Sequence, residues 1–413
     1  MTSRARRPIP GEVVVVIALV LTLASGAFAA PKFKVLHAFS YKEGDGPWDN
    51  LVWDKAGNLY GTTTAGGTYG YGAVFQLRPG HNGEWAEATI HDFDINGEGG
   101  YGPDGGIVFD AAGNLYGTTE WGGANGLGTV FELSPGFKGW TFAVLYTFCG
   151  KPSCLDGAAP YGSLVIDGAG KLYGTAGAAF ELKPGSDGWT EEVIYGFRSN
   201  RGGTTALAGP ILDETGNLYG VTERGGTACS PPGCGTAYEL KPVAGGWKHI
   251  ILHNFGRFQN DGVGPGVGQL ARDGAGNLFG TTRAGGRNIC FGGCGTVFKL
   301  TPESNGHWKE TVLYSFRNGA TGNGPGAGVV VDKAGNLYGA TIYGGTAQCG
   351  CGVVYKLARG AKGTWHYSVL HAFLGSDGAQ PDANLILDHK GNLYGTTPAG
   401  GSGGLGVVFE VTP

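Results

Sequence analysis

Eight cysteines stand in four close pairs: Cys149/Cys154, Cys229/Cys234, Cys290/Cys294 and Cys349/Cys351. Thiols at such spacing either oxidise to disulfides or ligate a metal such as zinc. An even count behind an N-terminal segment of the export type favours oxidation, so each pair is expected to close a disulfide. Closing a short loop, as Cys229–Cys234 would, stabilises by roughly 2 kcal/mol on chain-entropy grounds. The Cys349–Cys351 ring spans a single residue and is expected to be the most easily reduced. No helix N-terminus or flanking base is evident to lower a thiol pKa, so redox catalysis is not expected. No metal or cofactor is implied.

Other reactive groups are weighed against plainer roles. An aspartate recurs at Asp54, Asp110, Asp167, Asp213, Asp273, Asp332 and Asp388, always before a Gly-containing turn. Calcium ligation is one reading, but the same residue at every hairpin is what an Asx-capped turn requires. Asp-Gly-x-x-Pro at Asp156, Asp261 and Asp377 reads the same way. His37, His91, His253 and His371 fill a slot that holds Tyr146, Tyr195 and Tyr314 elsewhere, which reads as aromatic packing with a polar tip. No His-Glu-x-x-His motif occurs.

The elements that position these groups come from a repeat. Gly-Asn-Leu-Tyr-Gly-Thr-Thr at Gly57–Thr63 returns, intact or edited, at Gly113, Gly170, Gly216, Gly276, Gly335 and Gly391. Each unit holds four strand-like pieces, shown by the sixth: Val329–Asp332 (strand a), Leu337–Thr341 (b), Val353–Leu357 (c) and Trp365–Phe373 (d). In strand d a tryptophan precedes a phenylalanine at fixed spacing: Trp85/Phe93, Trp140/Phe148, Trp189/Phe197, Trp247/Phe255, Trp308/Phe316 and Trp365/Phe373. Tryptophans in register are expected in the core, filling the contacts between stacked sheets. The 83 glycines and 20 prolines recur in step with the repeat, and 11% of the chain is aromatic, so a turn-rich, ordered all-β protein is expected rather than disorder.

The chain ends are complementary. Residues 33–39 read as a strand d without its a, b and c; residues 407–411 read as a strand c without its d. Pairing them completes a seventh unit and removes the open edges of the array. The expected fold is therefore a seven-bladed β-propeller of four-stranded blades. The N-terminal strand at 33–39 closes it on the C-terminal blade, 382–413. An open β-solenoid is the alternative, although units of about 55 residues are long for one.

With that map, the d-to-a and b-to-c loops share one rim, and all eight cysteines fall on it. Just after strand b, near the same rim, the units differ from one another. Glu120, Trp121, Glu223, Arg224, Arg283 and Tyr343 are the residues expected to gather at one mouth, notched where the third unit drops the loop between Thr175 and Phe180. An aromatic platform with mixed charge suits sugars or peptides. An ordinary solvated rim is the plainer reading.

The pattern G-x-V-F-x-L, L-Y-x-F, D-G-x-x-P, then G-N-L-Y-G-T-T resembles the GloVer-type tandem repeats of secreted bacterial proteins, over essentially all of residues 33–413. It is more loosely similar to NHL-type and periplasmic sensor propellers. The resemblance implies a secreted repeat protein and supplies no catalytic residues.

Arg4, Arg6 and Arg7 precede an apolar run at Val13–Ala24, followed by Ala27-Phe28-Ala29. This reads as a signal peptide, 1–29, leaving a single propeller at 30–413 with no further membrane span. Export to the periplasm or outside the cell is expected. The formal charge of −4, without a basic block in the mature part, excludes nucleic acid as a partner. The function expected is non-catalytic binding or scaffolding of extracellular glycan or protein, by a monomer. The alternative is a polysaccharide lyase or hydrolase using Glu120 or Glu223 with Arg224 or Arg283.

Overall fold

The Leu-Tyr-Gly-Thr stretches become the most deeply buried strands of the molecule, because each is covered on both faces. They form the second strand of seven sheets, at Leu59–Thr63, Leu115–Thr119, Leu172–Thr175, Leu218–Thr222, Leu278–Gly285, Leu337–Thr341 and Leu393–Thr397. The central glycine is obligatory on steric grounds: a Cβ at Gly61 would lie 2.6 Å from Phe75 Cζ on the neighbouring strand. An aromatic ring takes that space in every sheet, namely Phe75, Phe131, Phe180, Tyr238, Phe298, Tyr355 and Phe409, all fully buried.

The computed structural model describes residues 30–413 apart from Gly97, Asn200, Asn288, Ile289 and Phe291. The expected export segment, 1–29, lies outside the described residues. Pro31–Pro413 form one compact unit. It is a ring of seven antiparallel four-stranded blades, the seven-bladed propeller expected. We number the blades by their inner strands, which are two residues long: Val52–Trp53, Val108–Phe109, Val165–Ile166, Ile211–Leu212, Ala271–Arg272, Val330–Val331 and Ile386–Leu387. Blade 5 carries an additional strand, Gly262–Pro265, on its second strand. No α-helix occurs among the described residues.

The ring closes through its ends. Lys32–Ala38 runs antiparallel to Val407–Thr412, with Phe33 opposite Val411 and Val35 opposite Phe409, and becomes the outer strand of blade 7. The phenylalanine ending each outer strand then packs on the third-strand ring of the next blade. Centroid separations run from Phe39–Phe75 at 5.0 Å, through Phe93–Phe131 at 5.3 Å, to Phe373–Phe409 at 5.2 Å. Seven such contacts, one per seam, are what make the array a closed ring.

The register tryptophans differ from expectation. They are half-buried and pack against the core from its margin: Trp140 sits edge-on to Tyr60 at 6.0 Å and Trp189 to Tyr116 at 5.9 Å. The slot lies at the outer end of the seam, where an indole is too wide to be enclosed. The enclosed residue is the phenylalanine at the other end of the strand.

The seven aspartates are turn caps. Asp54 Oδ1 accepts the Ala56 and Asn58 amides at 2.8 and 2.9 Å, while Oδ2 accepts from the Asn58 side chain and from the Tyr60 hydroxyl at 3.1 Å. Burial would raise this carboxyl, but the Asn58, Tyr60 and Ala56 hydrogen bonds outweigh it and hold the group below its usual range. A carboxylate saturated by N–H and O–H donors has little left to offer a cation.

The same four cysteine pairs are joined, Cys149–Cys154, Cys229–Cys234, Cys290–Cys294 and Cys349–Cys351, and no described cysteine is free. Alkylation of unreduced, denatured protein is expected to label none of the eight cysteines; one or more labelled thiols per chain would overturn the pairing.

Candidate functional site

Six of the seven connections between blades deliver residues to the ring axis through one joint; the connection from blade 3 to blade 4 lacks it, since the Cβ position of Gly177 meets no neighbour and Ala206 stands in the proline's place. The glycine before strand c has a positive φ, and its Cβ position is filled by the proline that precedes the next blade's inner strand. The pairs include Gly72–Pro103, Gly128–Pro160, Gly235–Pro265, Gly352–Pro381 and, across the closure, Gly406–Pro47. No larger residue fits there, and proline's fixed φ sets the direction of the chain behind it. The residues just after the proline are thereby aimed at the axis, on the rim that carries the disulfide loops.

Those residues line a cavity of about 530 Å³. Blade 1 contributes Trp48, Asp49 and Asn50; blade 2, Asp104; blade 3, Tyr161 and Ser163; blade 7, Asp382 and Asn384. Blade 4 adds Leu207, and blade 5 adds Val267, Gln269 and Arg283. The segments leading into the inner strands of blades 5 and 6 meet backbone to backbone: a Cβ at Gly268 would fall 1.7 Å from the Gly328 amide nitrogen. Deeper in, a polar plug crosses the axis. Asn50 donates to Ser163 Oγ at 3.3 Å and to Gln269 Oε1 at 3.5 Å, and its own Oδ1 accepts the Asn384 amide at 2.8 Å. Trp48 and Tyr161, 45% and 39% exposed, offer aromatic faces at the mouth.

The electrostatics of the cavity are set by carboxyls with one guanidinium. Asp49 is ringed by protein deep in the tunnel. Burial pushes it up to about 6, against hydrogen bonds from Asn50, Gly106 and Ser163. Burial likewise pushes Asp382 up to about 6, although Arg283 Nη2 lies 3.0 Å from its Oδ2 and pulls the other way. Asp104 is pushed up by burial first, then by its hydrogen bond to Glu120 and the charges of Glu120 and Asp49. Asp104 therefore holds its proton more tightly than a free aspartate does. Glu120 also accepts the Tyr161 hydroxyl at 2.7 Å.

The residues expected at the mouth are only partly brought together. Arg283 lines the axial cavity, and buried Glu120 stands directly behind Asp104 and Tyr161. Trp121 and Tyr343 are exposed, 42% and 51%, and do not line it. Tyr343 instead borders a smaller hollow of about 320 Å³, shared with Arg283, Asn323 and Cys290. Arg224 is exposed and Glu223 half-buried, and neither is among the lining residues. The third blade joins its second and third strands through Ala176 and Gly177 alone, which leaves the rim lowest there. Asp49, Asn50, Asp104, Tyr161, Gln269, Asp382 and Asn384 were not foreseen. Their signal was available: they are the places after the repeated proline where the units disagree.

No curated protein sequence matches the chain. Among solved structures, it superposes on the extracellular domain of a protein described as a hybrid two-component system from B. thetaiotaomicron. The TM-score is 0.53 at 12% identity, over 91% of this chain and 39% of the other's length. A glycoside hydrolase of the GH74 type from Niastella koreensis aligns with TM-score 0.49 and 14% identity, over 84% of this chain and 50% of that one. Such identities speak to the fold alone. The signature of the Gloeobacter/Verrucomicrobia repeat matches residues 21–179, 176–350 and 290–413, and with that repeat building every blade of the ring, the chain belongs to the Gloeobacter/Verrucomicrobia repeat family.

Proposed function

We propose that this protein is an exported, non-catalytic binding propeller whose axial cavity receives the end of a neutral glycan or a similar polyhydroxylated group from the cell envelope. The observation that carries the reading is the cavity. Trp48 and Tyr161 give flat apolar faces at its mouth, and Asp104, Asp382, Arg283, Asn50 and Gln269 converge behind them as donors and acceptors. Sugars present both kinds of surface, and a concave site with a few placed polar groups is the usual way to hold them. Carboxyls raised by burial keep the site from being strongly anionic, which suits an uncharged ligand. Export is supported by the disulfides and by the residues read as a signal peptide; no helix among the described residues is long and apolar enough to cross a membrane.

A glycan array separates the cavity from the outer rim. Wild type is expected to bind, Trp48→Ala to lose binding by tenfold or more, about 1.4 kcal/mol, and Trp121→Ala to bind as wild type does. Loss with Trp121→Ala alone would move the site outward, and no binding by wild type would sink the glycan reading.

One observation favours a second reading, a polysaccharide-active enzyme. Asp104 keeps a proton beside Glu120 and near ionisable Asp49, an arrangement able to supply a general acid and a base. Release of reducing ends, abolished by Asp104→Asn, would replace the binding reading with this one.

A further inference from the structure

The seven seams share one more contact, and it is not the same in all. The outer-strand residue two places after the tryptophan faces, across the seam, the His/Tyr slot of the preceding blade. Four seams fill both places with stacked rings: His91–Phe142 at 4.2 Å, Tyr195–His249 at 4.0 Å, Tyr314–Tyr367 at 4.2 Å and His371–Phe33 at 3.6 Å. The other three carry a glutamate at the second place: Glu87, Glu191 and Glu310. A carboxyl buried in a seam otherwise made of rings must be hydrogen-bonded, paired with a cation or protonated; Glu87 accepts the Thr89 hydroxyl at 3.1 Å.

The seam between blades 2 and 3 shows how the chain supplies a cation. Tyr146 donates to Asp156 at 2.8 Å and reaches Glu191 at 3.5 Å, and Lys151 Nζ lies 2.5 Å from Glu191 Oε2. The seam between blades 4 and 5 repeats this cluster with two changes. His253 replaces Tyr146, and Phe258 stands where the first cluster has Lys151, three residues after the strand-ending phenylalanine. Asp261 and Glu310 keep the places of Asp156 and Glu191. Asp261 accepts the Gly262 amide on Oδ1 at 2.7 Å and the Arg257 amide on Oδ2 at 2.9 Å, but, unlike the turn aspartates, it faces a ring nitrogen able to ligate, His253 Nε2, 3.2 Å from Oδ2; one ligating atom from each of His253, Asp261 and Glu310 lies within 4.8 Å of the others. Among the described residues this is the one place where three such groups converge. His253 and Asp261 are 8% and 5% exposed, and Glu310 Oε1 is enclosed with no hydrogen-bond partner among the described residues. The nearby guanidinium of Arg257 is turned over the Phe258 ring, 5.6 Å from its centroid. His253 and Glu310 line a cleft of about 550 Å³, which gives an entry path.

We propose that His253, Asp261 and Glu310 bind a divalent transition-metal ion of the zinc class, which neutralises this seam as Lys151 neutralises the seam between blades 2 and 3. One imidazole with two carboxylates and an open side toward solvent is a donor set that zinc accepts, water completing the coordination. Calcium prefers six or more oxygens and is poorly served by it.

Thermal unfolding of the mature chain after chelator treatment tests this. Zinc chloride is expected to raise the Tm of wild type by several degrees, and calcium chloride to leave it unchanged. Glu310→Gln and His253→Tyr are expected to lose the zinc response; the latter rebuilds the Tyr146 arrangement and so keeps a seam known to pack in this ring. Phe258→Lys is expected to raise the metal-free Tm and to abolish the zinc response, the lysine taking the ion's place. Cobalt absorption bands in wild type, absent from Glu310→Gln, give a readout independent of folding. An unresponsive wild type, variants that respond as wild type does, or a response to calcium instead would each overturn the assignment.

Discussion

A mature chain that begins after Phe39 is expected to lose most of its stability, or to fail to fold, because Lys32–Ala38 is the outer strand of the last blade rather than a tail. Its removal strips a whole ladder from Val407–Thr412 and exposes that strand's edge. It also deletes Phe39, 1% exposed and packed on Phe75, and Leu36, 8% exposed. Each fully buried side chain of this size contributes roughly 1.5–3 kcal/mol. Loss of the ladder, with Phe33 removed from its stack on His371, brings the expected cost above about 5 kcal/mol, comparable to the whole stability of many domains. The seam between blades 7 and 1 would then open, and an exposed edge strand invites association. Scanning calorimetry of the truncated chain against the intact one checks this. A melting temperature within a few degrees of the original would show that the remaining six contacts close the ring unaided.

The second large effect is on pH dependence. Asp49, Asp104 and Asp382 all have folded-state values above those of an unfolded chain, for which an aspartate sits near 3.8. A carboxyl raised in this way binds its proton more tightly when the chain is folded. Its contribution is fully present below pH 4 and is lost as pH rises through the folded value. Asp49 and Asp382 therefore withdraw stability between about pH 4 and 6, and Asp104 between about pH 4 and 8. Asp104→Asn keeps a donor facing Glu120 but cannot ionise. It is expected to leave stability unchanged near pH 4 and to raise it by about 2 kcal/mol at pH 8, a figure reduced from the full linkage value because the cavity is open to water. Urea titrations across that range are the measurement, and a difference between variant and wild type that does not change with pH would refute the raised Asp104 carboxyl. The turn aspartates act in the opposite direction. Asp54, Asp110 and Asp213 are held low by their hydrogen bonds, and their stabilisation is lost as pH falls below about 4.

Much of this architecture is legible in the sequence. The repeated Leu-Tyr-Gly-Thr, the fixed spacing within strand d and the complementary fragments at Phe33–Phe39 and Val407–Val411 lead to a closed seven-bladed ring by local arguments: strand period, turn chemistry and the need to cover an edge. The cysteine pairs were legible too, since each lies within one short loop and asks nothing of the rest of the fold. The tryptophans were read in the right register but one shell too deep. Period-two alternation assigns a face and cannot say how far along a seam the enclosure extends.

The candidate site was harder because it is assembled from residues far apart in the chain. Asp49, Asp104, Tyr161 and Asp382 come from four different blades, each at a place that in isolation reads as a turn beside a proline. Only the curvature of the ring brings them to a common axis. The choice of Glu120 and Arg283 over Trp121 and Tyr343 was likewise tertiary: adjacent residues of one loop alternate between axis and solvent, and no spacing rule states which way the loop faces. The same holds for His253, Asp261 and Glu310. The sequence alone assigned His253 to packing and Asp261 to a turn and gave Glu310 no role, and their convergence depends on two blades meeting at one angle. The chain by itself determined how many blades there are and how they close, because those are properties of a repeat. Which side chains meet at the axis and in the seams was decided by closure, because closure sets distances between residues that no local interaction connects.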